Sequence, residues 1–409
     1  MPIQSSAERR EVMKIKTNGV FLSTRDNADG ISYVNVMLLS FLASLLSLAL
    51  PFSLVDTAAS VPISWIVCIT AGILLILASK KFSSIIVLAL VFTFVMSYAE
   101  SPMAIALVIG TVAACGIYSA IVSAARGRQI PLLLIAPAVS CAVTFFLTAS
   151  LPLTLIALAP FLPSLAMGIA ARQSESRTTS IASFAFVAVF EVAIAVLSHI
   201  YIQNGYLSFE VINDSASYFW SESVDLLVEA IDSAGNVPVT EDILIQVRAM
   251  ATELTNLLVG TVVAIFLIIG FLAQKIQLST FERFDLEKLQ NISGAPIKAS
   301  VAAAIVYTTA HIFSYTSSVS SAPSFTAAVG ANVSLIFLPL LLYVGFEFMA
   351  HLPQKLGFLA LLVWLGIFMA AYLLSSSVLD IIALIGAFYT LLVNIDLWAE
   401  EHYSKGEDS

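Results

Sequence analysis

The sequence predicts an all-α fold, a polytopic transmembrane bundle of about twelve spanning helices with both termini cytoplasmic. Three observations carry this. Apolar residues fill 59% of 409 positions and charged residues only 11%, against about 25% charged in a soluble domain. The apolar residues gather in runs near the roughly 20 residues that cross about 30 Å of hydrocarbon. The basic residues fall into alternate loops, as cytoplasmic loops collect Lys and Arg.

Residues 1–32 are polar and carry no cleavable signal, so they read as a cytoplasmic tail. Helices one to seven follow at 33–54, 61–79, 83–98, 102–123, 130–148, 151–171 and 180–202, filling 33–202. The third run is short, and the fifth and sixth are nearly fused. An acidic extracytoplasmic loop occupies 203–251. Helices eight to twelve, at 252–274, 299–319, 324–347, 356–374 and 378–397, fill 252–397, and 398–409 is a second cytoplasmic tail. With the N-terminus inside, 17 of the 18 Lys and Arg residues lie in inner segments, and only Arg248 falls outside.

The net charge of −9 reflects distribution rather than a basic partner. Eight of 27 acids sit in 203–251 and four in the tail after Trp398. The charge gives no support to nucleic acid as a partner, and none is expected. Cys68, Cys115 and Cys141 lie in apolar runs without disulfide or zinc spacing, and neither a metal site nor a cofactor is read from the chain.

Within the outer loop, 216–233 reads as an amphipathic helix, with Phe219, Trp220, Val224, Leu227 and Ile231 opposite Glu222, Asp225, Glu229 and Asp232. A second outer helix, capped by Thr240 after Pro238, runs into span eight. On the inner side, 278–292 reads as an interfacial amphipathic stretch that can also dock a partner.

Ionisable groups at membrane depth need a partner or a wet cavity. Glu191 sits mid-span in helix seven, with His199 two turns further out. Tyr307, His311, Ser314, Tyr315 and Ser318 form one stripe on helix nine, and Asn332 lies in the outer half of helix ten. The cavity or substrate candidates are therefore Glu191, His199, Tyr307, His311, Tyr315 and Asn332. Their alternative role is interhelical hydrogen bonding. Glu347 and His351 make an i,i+4 pair at the cytoplasmic end of helix ten, and Asp380 opens helix twelve. Being near the interfaces, these three read as structural, since snorkelling relieves their cost. Pro160 and Pro163 in helix six bend or break it, a plain kink being the commoner outcome. No catalytic constellation is present.

Three stretches resemble the YybS-like family of bacterial polytopic membrane proteins. They are LAPFLPSLAMGIAAR (158–172), ISGAPIKAS (292–300) after the acidic loop and span eight, and ANVSLIFLPLLLYVGFEFM (331–349) with a final NIDLW (394–398). The likeness spans about 100 to 397, and the first four spans and the long acidic loop depart from it. The resemblance implies kinship with the substrate-binding subunits of energy-coupling-factor transporters, and hence solute uptake with a separate ATPase. It supplies no binding residues.

The leading expectation is thus a solute-binding or transport component of the bacterial cytoplasmic membrane, not an enzyme. Its partners are the lipid bilayer and membrane or ATPase subunits, because the chain lacks a GxxxxGK[ST] loop. A neutral or cationic solute suits the acidic outer face. The alternative is a non-catalytic scaffold of a cell-envelope complex. An ion-coupled carrier is weakened by the short inner loop Lys80-Lys81-Phe82. A lipid-linked-substrate enzyme is weakened by the lack of outer basic residues.

Overall fold

The computed structural model describes residues 33–53, 102–173, 176–208, 241–283, 297–318, 325–356 and 378–406, with isolated positions in 210–222 and 363–369. Some side chains near the ends of these stretches are not described, among them Tyr315 and His351. Spans 61–79, 83–98 and 356–374, most of the 216–233 helix and the inner stretch beyond Arg283 lie largely outside the described residues.

Every described element is helical. In lipid this follows from the backbone: each N–H and C=O must find its partner within the segment. The helices are α1 (Tyr33–Ser47), α2 (Ala49–Ser53), α3 (Pro102–Ala124), a 3₁₀ segment (Gly127–Leu134), α4 (Ile135–Thr148), α5 (Leu151–Ile156), α6 (Phe161–Gln173), α7 (Arg177–Asn204), α8 (Glu241–Arg283), α9 (Val301–Ser318), α10 (Phe325–Leu356) and α11 (Val378–Gly406). Among the described residues, six stretches are long and apolar enough to cross a membrane: Tyr33–Phe52, Gly127–Thr148, Leu151–Gln173, Arg177–Asn204, Leu257–Thr280 and Thr326–Ala350. Three shorter apolar helices, Ile109–Ala124, Val301–Ser314 and Val378–Asn394, bring the match to nine of the twelve runs.

Local chemistry sets several boundaries. The turn between α4 and α5 is two residues long. Ala149 adopts a left-handed φ of 50° and gives its N–H to Phe145 O, and Ser150 Oγ then accepts the Leu153 N–H to start α5. α8 begins at Glu241, directly after Thr240, and runs 43 residues, about 65 Å at 1.5 Å per residue. It therefore extends well beyond its apolar part and absorbs the first residues of the 278–292 stretch.

The helices pack as two units, residues 1–184 with 270–295 and residues 185–269 with 296–409. In the first, α1, α3, α4 and the start of α6 enclose a core of Val36, Leu39, Leu46, Ile117, Ile121 and Phe161. The Phe161 ring meets Tyr118 edge-on at 5.0 Å. Because lipid is as apolar as leucine, close packing and hydrogen bonds hold such helices together. Ser44 Oγ reaches Ala136 O at 2.9 Å, and the Ser47 and Ser140 hydroxyls meet at 2.8 Å, so α1 and α4 run parallel.

Gly116 of α3 faces Ala273 and Ile276 of α8, while Gln277 Nε2 donates to Ser119 O at 3.4 Å and Ser123 Oγ at 3.2 Å. These two helices are also parallel. Arg177 against Gln274, and Ile181 and Phe184 against Gly270, make α7 and α8 antiparallel. Each of these directions is the one that the order of spans requires.

The second unit departs from that order once. Its core comprises Ala304, Tyr307, Leu341, Ala383 and Ala387. Gly345 of α10 lies against Ile382 of α11, and Gly386 of α11 against Leu341. The numbering runs in opposite senses, so α10 and α11 are antiparallel. Helices ten and twelve of a twelve-span chain would be parallel. Glycines at both contact points let the two backbones approach closely at this crossing.

Candidate functional site

The sequence-selected polar groups do not form one cluster. Glu191 is half-buried on α7, and no hydrogen bond or ion pair reaches it from the described residues. Its flanking Phe190 and Val192 are exposed, as is His199. Asn332 is taken up by helix packing. Its Oδ1 accepts the Gly260 N–H at 2.7 Å, and its Nδ2 donates to Ala328 O at 2.8 Å. The close approach depends on Gly260, where a Cβ would sit 2.8 Å from Asn332 Cα. Glu347 is half-buried, while the side chains of Tyr315 and His351 lie outside the described set.

Tyr307 and His311 do come together, one turn apart on α9. Their rings stack at 5.7 Å with an interplanar angle of 18°. Tyr307 is fully buried, and its hydroxyl finds no hydrogen-bond partner among the described residues. Buried phenols normally have one, and leaving such a group unsatisfied costs about 1–3 kcal/mol. Asp380, from the first turn of α11, is near enough for its charge to act on both Tyr307 and His311.

A stacked imidazole and buried phenol on α9 thus lie within electrostatic range of an acid on α11. Together they offer lone pairs, a transferable proton and a carboxyl group, which suits a hydrogen-bond-donating or cationic group. The sequence order gave Asp380 a structural role because it sits at a helix end. Its partner helix lies some seventy positions earlier, and no periodicity connects the two.

Pro160 and Pro163 mark a break rather than a kink. Residues 157–160 form a turn between α5 and α6. Phe161 N–H bonds Leu158 O at 2.9 Å, and Ala159 N–H bonds Ile156 O at 3.1 Å, in tight i→i−3 geometry. The Pro160 carbonyl accepts the Ser164 hydroxyl and, at 3.5 Å, the Cys115 thiol of α3. Side chains already on hand satisfy the interruption, which acts as packing in the first unit.

Sequence reasoning also missed the buried amides at the end of span eight. Gln274 and Gln277 are 0% and 1% exposed. Arg177 Nε donates to Gln274 Oε1 at 3.1 Å, and Gln274 Nε2 returns a bond to Arg177 O at 3.0 Å. Their i,i+3 spacing beside Lys275 was the available signal. Set against models of protein families, curated proteins and solved structures, the chain has no match.

Proposed function

We propose that this chain is a multi-pass protein of the bacterial cytoplasmic membrane that binds and moves a small neutral or cationic solute. The observation that carries the reading is the stacked Tyr307–His311 pair, with the Tyr307 hydroxyl buried without a partner among the described residues and Asp380 within electrostatic range. Groups of this kind at membrane depth are costly and mark solute or proton paths. The acidic outer loop favours a cation over an anion, and a partner ATPase supplies energy in the version that the YybS-like resemblance supports.

Loop charges support a cytoplasmic N-terminus. The antiparallel pairing of α10 and α11 supports eleven crossings over twelve, with the tail after α11 extracytoplasmic. The scaffold reading draws on Asn332, which serves a helix contact rather than a cavity.

The test uses His311→Cys in a chain whose native cysteines are replaced, treated in vesicles of each orientation with cationic and anionic thiosulfonate reagents. We expect reaction from at least one side, faster with the cation, and loss of that preference in Asp380→Asn. Silence toward both reagents from both sides overturns the transport reading in favour of a scaffold.

A further inference from the structure

Beside the Tyr307–His311 pair lies a groove that the polar groups leave unused. It runs between α9, α10 and α11 within the second unit and holds about 620 Å³. Thr308, next to Tyr307, lines it from α9 and Phe348 from α10, with Ile381, Ile385, Phe388 and Leu392 from α11. Thr308 Oγ1 is turned back to Ala304 O at 2.8 Å, so its hydroxyl is satisfied within α9. The Phe348 and Tyr389 rings meet at 4.7 Å and close part of the wall. From Ile381 to Leu392 the groove follows α11 for about 16 Å at 1.5 Å per residue. That is about half of the ~30 Å hydrocarbon layer, the reach of one lipid tail.

Asp380 joins the groove to the polar pair. Ala383 and Ala387 follow it on the same face of α11, and both pack in the core with Tyr307. Leu384, one turn on from Asp380, packs against that core and also lines the groove. The carboxyl thus stands where groove and core meet, within electrostatic range of the Tyr307 hydroxyl, which has no partner among the described residues. Phe388 and Leu392 are exposed, so the groove opens along the flank of α11.

Charge complementarity selects the occupant. A phosphate or carboxylate head would gather like charge at Asp380 within hydrocarbon. An ammonium brings the counter-charge and three N–H donors, which match the carboxyl and the lone pairs of the Tyr307 oxygen. We propose that the groove and the Tyr307–Asp380 site together bind a single-chain lipophilic amine, its head at Asp380 and its tail along α11. The proposal rests on the solute-binding reading of that site and adds the chemical class of the solute. A second apolar groove, of about 400 Å³ between α9 and α10, is lined by Ile305, Val306 and Val333 among others. It has no carboxyl in its lining and supplies an internal comparison.

The test uses the full chain in phosphatidylcholine nanodiscs and dodecylamine with a photoreactive diazirine at its tail end. The alcohol and the carboxylate of the same length and label serve as controls, and peptide mass spectrometry maps the labelled residues. We expect the amine to label α11 around Phe388 to Leu392 at least fivefold more than either control, and to lose that excess in Asp380→Asn. Labelling at Ile305 and Val306 should not depend on the head. Ile385→Trp fills the groove and should abolish the excess, and propylamine should compete far less well than unlabelled dodecylamine. Equal labelling by all three heads means an ordinary bilayer chain and overturns the proposal. An excess lost in Asp380→Asn but intact in Ile385→Trp overturns the role of the groove and leaves the polar site as a solute site. An excess that Asp380→Asn does not reduce removes the head contact, and the reading beneath the proposal falls with it. Where Ile385→Trp does not fold, Phe388→Ala at an exposed position decides, and an unchanged excess at Leu392 overturns the proposal.

Discussion

Replacing Gly386 by alanine drives a methyl group into the tightest helix crossing of the second unit. The new Cβ would overlap Leu341 O and lie 2.8 Å from Gly345 N. Ordinary contact begins near 3.5 Å, so the helices must part by about 0.7 Å from the amide alone. A gap of 0.5–1 Å forfeits a quarter to a half of each dispersion well along the seam. Overpacking costs about 1–3 kcal/mol, and the upper end applies because a helix carbonyl cannot rotate away. Alanine's better helix propensity returns about 1 kcal/mol. The net loss is about 2 kcal/mol, or roughly 30-fold in the unfolding equilibrium.

Gly366→Ala serves as the reference, because Gly366 is exposed and no described residue lies within 4 Å of its added Cβ. It should be neutral or slightly stabilising. Reversible unfolding of the purified chain in mixed micelles by a denaturing detergent, followed by helical circular dichroism, measures both. Equal stability of the two variants would falsify the antiparallel crossing and everything inferred from it.

The same register sets the sidedness of the C-terminus. A phosphatase reporter fused after Gly406 should be active outside the cytoplasm, and activity of a cytoplasmic reporter there would restore the twelve-span reading. Gln274→Leu removes the acceptor of the buried Arg177 Nε, and we expect a loss of about 2 kcal/mol by the same unfolding assay. Asn332→Ala should cost about 0.6 kcal/mol through the Gly260 contact while leaving reagent access at His311→Cys unchanged. A strong effect on access would return Asn332 to the site. Joint replacement of Pro160 and Pro163 by alanine should let α5 and α6 join, withdraw the Pro160 carbonyl from Cys115 and raise Cys115 reactivity toward maleimide. Unchanged reactivity would mean that the proline pair does not maintain the break.

Helix identity was legible because hydrocarbon thickness imposes a length that composition alone reports, and the runs at 33–54, 130–148 and 180–202 needed no tertiary information. Register was not legible. Gly345 and Gly386 sit among many small residues, and only the structure singles out the pair that touches. The site was legible in half. The stripe on α9 gave Tyr307 and His311 through simple periodicity, whereas Asp380 joined them only through folding. Glu191 and Asn332 carried the same polar signal as His311, yet Asn332 spends its amide on a neighbouring helix. Polarity at depth identifies costly groups and does not say whether a backbone or a ligand relieves the cost.

The serine face of α1 bears on biogenesis. Ser44 Oγ can give its single hydrogen to Ser40 O at 2.8 Å within its own helix or to Ala136 O at 2.9 Å on α4, and Ser47 Oγ can return to Ser44 O at 2.8 Å. A newly inserted α1 therefore keeps these hydroxyls satisfied while it is alone in lipid. Docking of α4 then needs only a rotation of the Ser44 and Ser47 hydroxyls from their own helix toward Ala136 O and Ser140 Oγ. Such a helix can wait in the bilayer for a partner synthesised almost a hundred residues later.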